Sequence, residues 1–203
     1  MYAIVTDGSI SKYINHPKSL VIGDVRYPAK IFSLWSSTEL NAIGIYEVIT
    51  DTTNYKDEAY YINTNEQYNF ADNQVTKSWG TATAKRLNDE NAVDEDGNNL
   101  LDDDGNQVIN YGLKTEKKRI VKQQASGLLA PTDWYVVKST EVADYDVPAN
   151  ILSFRADVRS KSNEMETQID ACTTVDELKA LYEYTRQEDG TQTRPLAEFP
   201  EEI

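Results

Sequence analysis

The chain has 203 residues, 39% of them apolar, enough to fill an ordinary core without disulfide or metal staples, which argues against fibrous and wholly disordered organisation. Its 34 acids against 20 bases leave a net charge of −14, which repels a polyphosphate backbone and speaks against nucleic acid as a partner. One cysteine, Cys172, has no second thiol to pair with in the chain, and one histidine, His16, disfavours zinc constellations and the usual triad base.

The opening Tyr2-Ala3-Ile4-Val5, the turn dipeptide Asp7-Gly8 and the following Ser9-Ile10-Ser11-Lys12-Tyr13 read as a hairpin. The start, Met1 to Asp7, has neither the basic patch nor the apolar stretch of a signal peptide, and no run reaches the roughly 18–20 apolar residues of a membrane span. The expectation is a soluble chain, with no membrane partner, that stays in the cytoplasm until it is assembled into something larger. Ser36 and Glu39 stand three apart as a capping box, and Gly44 occupies the place of a left-handed helix stop, so a two-turn helix is expected between them. Ile43 to Ile49 then leaves as a strand, and Tyr60-Tyr61-Ile62-Asn63 and Asn73 to Trp79 supply two more. Residues 1–87 therefore predict a β-rich domain of short, mainly antiparallel strands.

Residues 88–110 differ in kind, holding Asp89, Glu90, Asp94, Glu95, Asp96, Asp102, Asp103 and Asp104 with no base. Within them Asp94-Glu95-Asp96-Gly97-Asn98-Asn99-Leu100-Leu101 is echoed by Asp102-Asp103-Asp104-Gly105-Asn106-Gln107-Val108-Ile109, which predicts two successive β-turns in an acidic connector. An EF-hand reading fails, because its first ligand position falls on Ala92 or Leu100 and no glutamate reaches the bidentate position.

From residue 111 the period becomes helical. Thr115 to Ser126 is a strong helix former with Gly127 placed to end it, Pro131 to Trp134 reads as a turn, and Tyr135-Val136-Val137 as a short extended piece. Val147-Pro148 opens a long helix with the stripe Ile151, Phe154, Val158, Met165 and Ile169. Thr174 and Glu177 cap a last helix carrying Val175, Leu178, Leu181 and Tyr182. Residues 111–186 thus predict a helical hairpin, with Trp134 covering its corner, and residues 187–203 an extended tail. The expected class is α+β: a small antiparallel β-rich N-terminal domain followed by a C-terminal helical hairpin.

Few residues point to chemistry. His16 precedes Pro17 in a polar turn, Cys172 has no base near it in sequence, and no glycine-rich phosphate loop occurs. The expectation is no catalytic residue, no metal and no cofactor. The 13 tyrosines are the compositional signal, since stiff amphipathic rings suit interfaces and sugar-binding faces. Tyr55, Tyr60, Tyr61, Tyr68 and Phe70 cluster among asparagines with few aliphatics to bury them, and are candidate partner-binding residues.

The phrase Ser126-Gly127-Leu128-Leu129-Ala130-Pro131-Thr132-Asp133-Trp134 resembles the C-terminal region of bacteriophage tail-fibre assembly and related tail accessory proteins, where a helix is followed by an "LLxxTDW" corner. The resemblance continues through a charged pair, Lys138 and Glu141, and a Pro-led helix. There Phe154-Arg155-Ala156-Asp157-Val158-Arg159 matches "YRxxVR" with Phe154 in place of the tyrosine, and a short helix capped at Thr174-Val175-Asp176-Glu177-Leu178 follows. Near the other end, Trp35 to Tyr46 is similar to the "helix then isoleucine-glycine" phrase of such proteins. The acidic echo has no counterpart.

The resemblance implies a non-enzymatic tail protein that binds the tail fibre or baseplate and is retained in the virion, after assembly in the host cytoplasm. Trp134, Arg155 and Arg159 join the candidate partner-binding residues, and self-association is a further option. The alternatives are a transient tail-fibre assembly chaperone and a carbohydrate-binding host-recognition module using the tyrosine-rich stretch.

Overall fold

The computed structural model describes residues 1–202. The chain is α+β, with a β-rich N-terminal part and a helical C-terminal part, and divides into two compact units, residues 1–83 and 84–203. The acidic segment expected to be a separate connector belongs to the second unit.

In the first unit, β1 (Tyr2–Thr6) and β2 (Ser9–Ile14) form the expected hairpin, with Asp7 and Gly8 at φ of 51° and 75°. Short strands β3 (Leu20–Ile22) and β4 (Val25–Tyr27) form a second hairpin, followed by the single turn α1 (Ile31–Leu34). Helix α2 (Ser37–Ala42) carries the capping box: Ser36 N–H donates to Glu39 Oε2 at 2.7 Å and Glu39 N–H to Ser36 Oγ at 3.3 Å. Gly44 ends it at φ 81°, and a Cβ there would meet the Val5 carbonyl oxygen at 2.8 Å, so only glycine lets β1 come this close.

Strand β5 (Ile45–Thr50) pairs antiparallel with β1 and parallel with β8 (Gln74–Ser78). The short β6 (Tyr61–Ile62) lies in the crossover between them. Strand β7 (Gln67–Ala71) pairs antiparallel with β8 across Asp72-Asn73, both at positive φ. The sheet order is β2-β1-β5-β8-β7, and the Tyr13 and Tyr68 rings meet at 4.8 Å, so the two edge strands touch through side chains and the sheet is curled. Its core is Ile4, Ile14, Leu20, Ile31, Leu40 and Ile45, rimmed by Tyr2, Phe32, Tyr27 and Trp35. Each aliphatic side chain removed from water here contributes roughly 1.5–3 kcal/mol.

The second unit begins with the short strand β9 (Thr83–Ala84), which straddles the boundary, and the acidic echo. Strands β10 (Glu90–Asn91) and β11 (Ile109–Asn110) clasp its base. Ala92 N–H donates to Val108 O, Leu100 N–H to Ala92 O and Val108 N–H to Leu100 O, at 2.8, 2.9 and 2.9 Å, a closed three-way ring spaced by the eight-residue period. Each lobe is a turn built the same way. Asp94 Oδ1 accepts from the Asp96 and Asn98 amides, Asp102 Oδ1 from those of Asp104 and Asn106, and Gly97 and Gly105 sit at φ 84° and 82°. The expected pair of turns is present, organised as a small trefoil.

Helix α3 (Leu113–Leu129) starts where the trefoil ends. Asp89 accepts from Gly112 N–H at 2.7 Å and from the Thr115 hydroxyl at 2.9 Å, while Leu113 and Lys114 N–H donate to Arg86 and Leu87 carbonyls, so residues 86–89 hold the amides of residues 112–114 at the start of α3. Helix α5 (Ala149–Ala171) packs antiparallel on α3, with its expected stripe Ile151, Phe154, Val158, Met165 and Ile169 buried. Lys118–Asp170 and Lys122–Glu166 ion pairs bridge the two helices at their margin. Helix α6 (Val175–Ala180) begins at the expected capping box of Thr174 and Glu177.

Several expectations fail in this unit. Gly127 does not end α3: it lies within the helix with nothing near its Cβ position, and Leu128 and Leu129 beyond it pack against Phe154 and Val158. That packing outweighs a glycine penalty of about 1 kcal/mol. Tyr135-Val136-Val137 is not extended but part of helix α4 (Asp133–Glu141), continued from a 3-10 turn at Ala130–Thr132. The tail is docked rather than free. Strands β12 (Thr185–Arg186) and β13 (Gln192–Thr193) form a hairpin, Leu196 is buried with its N–H on Leu181 O, and the Gln168 amide holds Pro195 O and Ala197 N–H.

Gly112 makes the sharpest test of how the trefoil joins α3, because a Cβ there would stand 2.5 Å from the Asn88 carbonyl. Gly112→Ala is expected to lower stability by about 1–3 kcal/mol, read as a reduced unfolding midpoint by circular dichroism. An unchanged midpoint would show that residues 86–89 do not hold the helix start.

The turn carboxylates give a second test. Backbone amides, chiefly those of Asn98 and Asn106, hold Asp94 and Asp102 below the ordinary aspartate value of 3.8. A carboxylate depressed on folding contributes stability above its unfolded value, and that contribution disappears as pH falls through the lower folded one. Carboxyl-carbon NMR titration is expected to place both midpoints below 3.8, with Asn98 and Asn106 amide exchange quickening, relative to its intrinsic rate, only below them.

Candidate functional site

The corner between α3 and α5 is where the most distinctive residues of the second unit converge. Pro131 opens the 3-10 turn, a position where its missing N–H costs nothing, and the Thr132 hydroxyl donates to Leu129 O at 2.7 Å. Asp133 then begins α4. From α5, Arg155 enters this turn: only 7% exposed, it donates through Nη1 to Leu129 O at 3.0 Å and to Thr132 Oγ1 at 2.5 Å, and lies 2.8 Å from Asp133 Oδ1.

A buried guanidinium is costly unless it is hydrogen-bonded, and here a backbone carbonyl, a buried hydroxyl and a carboxylate gather at its Nη1. Asp133 itself is largely solvated, so the pair is anchored on the arginine side. Beneath the clamp, Ala125, Phe154 and Val158 form a closed cluster with Leu128, Leu129 and Phe199. Phe154 and Val158 are thus core, as their spacing predicts.

Helix α4 leaves this corner without covering it. Among the described residues it buries no side chain: Trp134 is 51% exposed, Val137 52% and Val136 38%. The expectation that Trp134 seals the junction is overturned, because Arg155 and Thr132 already fill it and turn the indole outward. Trp134 packs on Tyr135 with centroids 4.0 Å apart, and Lys138 Nζ lies 5.5 Å from the Trp134 ring and 4.2 Å from Tyr145. Arg159 is exposed one turn along α5, with Nη1 3.4 Å from Arg155 O.

The tyrosine-rich candidates do not form one platform. Tyr60 and Tyr61 are 5% and 4% exposed, core residues rather than presented rings, which corrects their reading as contact residues. Tyr68 and Phe70 are half-buried on β7 against Tyr13 and Tyr46. Tyr55 stays exposed, its ring 4.7 Å from Trp79 and its hydroxyl donating to Glu58, which raises its pKa. Alternation along β7 puts Tyr68 and Phe70 on one face, a sorting that composition, which offered all five only as candidates, does not supply.

Elsewhere, His16 is exposed, and Cys172 is buried at the foot of α5 with its Sγ 3.4 Å from Gln168 O, burial raising its thiol pKa. Among the described residues no group of three or more His, Cys, Asp or Glu side chains converges as a metal site, and no helix is long and apolar enough to cross a membrane. The pairing that sequence reasoning missed is Asp133 with Arg155. Its signal was present as one acid and one base inside the two halves of the same resemblance. Comparison with models of known protein families, with curated proteins and with solved structures finds no match.

Removing the guanidinium takes from Leu129 O and the Thr132 hydroxyl the charged donor that ties them to α5, and leaves them with their bond to each other. Arg155→Met is therefore expected to cost about 2–4 kcal/mol, and Arg155→Lys a similar amount, since the compact, more strongly hydrated ammonium is costlier to bury than a guanidinium. Asp133→Asn is expected to cost only about 0.5–1 kcal/mol, its carboxylate being mostly solvated. Denaturant unfolding of the three variants checks the ranking, and equal losses would sink the clamp as described.

Proposed function

We propose that this chain is a non-enzymatic bacteriophage tail protein that binds the tail fibre or baseplate and is retained in the virion. The observation that carries the reading is the meeting of the two phrases on which the resemblance rests. Leu129, Thr132 and Asp133 of the "LLxxTDW" phrase are the three partners of Arg155 in the "YRxxVR" phrase, and Leu128 and Leu129 pack on its Phe154 and Val158. Residues that serve only as helix and turn formers have no reason to converge in this way. The product of the corner is a short helix held at its first turn and open along its apolar side, which is the form of a protein-binding element. The sugar-binding alternative loses support, because burial of Tyr60 and Tyr61 breaks up the aromatic platform it requires.

Quantitative mass spectrometry of purified particles, counted against the major tail protein, tests this reading. Stoichiometric recovery of peptides from this chain is the expected outcome. Recovery from infected-cell lysate but not from particles would replace retention with transient chaperoning, and absence from both would remove the tail role.

A further inference from the structure

Helix α4 is the one helix of the second unit whose described side chains all remain outside the buried core, yet its first residue, Asp133, is tied to Arg155 of α5. Trp134, Val137, Lys138 and Glu141 share a face by helical spacing, with Trp134 and Val137 each about half exposed. The indole is pre-positioned by its packing on Tyr135, so little side-chain freedom remains to be lost when a partner covers it. A rigid tryptophan beside a β-branched neighbour is the composition of an interface anchor.

The surrounding charge selects the occupant. Residues 133–148 carry four carboxylates, Asp133, Glu141, Asp144 and Asp146, all exposed, and one base, Lys138, which lies over the Trp134 and Tyr145 rings. The nearby guanidinium of Arg155 is buried in the clamp. With Asp133 paired to Arg155, a second copy would set Glu141, Asp144 and Asp146 against three more, on chains of net charge −14, so self-association through this face is disfavoured.

We propose that the α4 face, centred on Trp134 and Val137, docks an amphipathic segment of a partner protein whose apolar side chains are flanked by lysine or arginine. This inference rests on the binding role proposed above and names its surface and the chemistry of the partner.

The test titrates the full-length chain with two fluorescein-labelled amphipathic helical peptides of equal length and identical leucine spacing, one lysine-flanked and the other glutamate-flanked, followed by anisotropy. The lysine peptide is expected to bind, more weakly as ionic strength rises, and the glutamate peptide to bind at least about tenfold more weakly. Trp134→Ala and Val137→Lys, which adds a positive charge, are each expected to weaken the lysine peptide at least about tenfold, while Ile120→Ser, at an exposed site on α3, leaves it unchanged. Both α4 positions are exposed, and far-UV circular dichroism verifies that each variant folds. Equal affinity for Trp134→Ala and wild type, equal binding of both peptides, or a wild-type dimer in sedimentation velocity that Val137→Lys dissolves would each overturn the proposal. Peptide titration reads only this surface and particle mass spectrometry only the role, so either can fail alone.

Discussion

The second unit depends on a single buried cation. Arg155 sits where the end of α3, the 3-10 turn, the start of α4 and the middle of α5 meet, and its guanidinium satisfies polar groups from the first three while its helix supplies the fourth. In a low-dielectric corner such a group is stabilising only when its buried partners, the Leu129 carbonyl and the Thr132 hydroxyl, are in place, which couples the turn to α5. That coupling sets the direction in which α4 departs. A purely apolar corner of leucine and phenylalanine would have closed the space but left the exit of the chain less defined.

The other end of α3 is held by different means with a similar result. Asp89 and the carbonyls of Arg86 and Leu87 take up the helix's first donors, and Gly112 permits the close approach. The trefoil that delivers Gly112 to this place closes on itself through three backbone hydrogen bonds, and its carboxylates cap turns while remaining in water. A segment of such charge density keeps a defined shape because Asp94 and Asp102 accept from amides at their own turns, while Glu90 pairs with Arg86 at 2.8 Å. The docked tail completes the helical layer by placing Leu196 and Phe199 where α3 and α5 leave apolar surface open.

For function, the consequence is a division of labour between buried and displayed residues. Phe154, Val158, Arg155 and Thr132 are committed to the corner, while Trp134, Val136 and Val137 carry its display. In the first unit Tyr13 pairs with Tyr68 and Tyr46 with Phe70, so the curled sheet uses rings for its own closure, while Tyr55 stacks near Trp79 outside the sheet and stays exposed.

Local chemistry determined a large part of this protein. The Asp7-Gly8 hairpin, the capping boxes at Ser36 and Thr174, the stripe of α5 and the two echoed turns are readable because each depends on side chains within a few residues of one another. Strand β7 and the hairpin of β3 and β4 left weaker traces, since their short alternation is shared with ordinary loops. Tertiary structure alone decided three matters. Helix α3 runs through Gly127 because Leu128 and Leu129 gain more by burial than the glycine costs, and Tyr60 and Tyr61 go inward while Trp134 goes outward. Valines 136 and 137, β-formers by composition, lie in a helix whose first turn is fixed by an arginine on a different helix, a long-range hydrogen-bonding constraint that local propensity cannot carry.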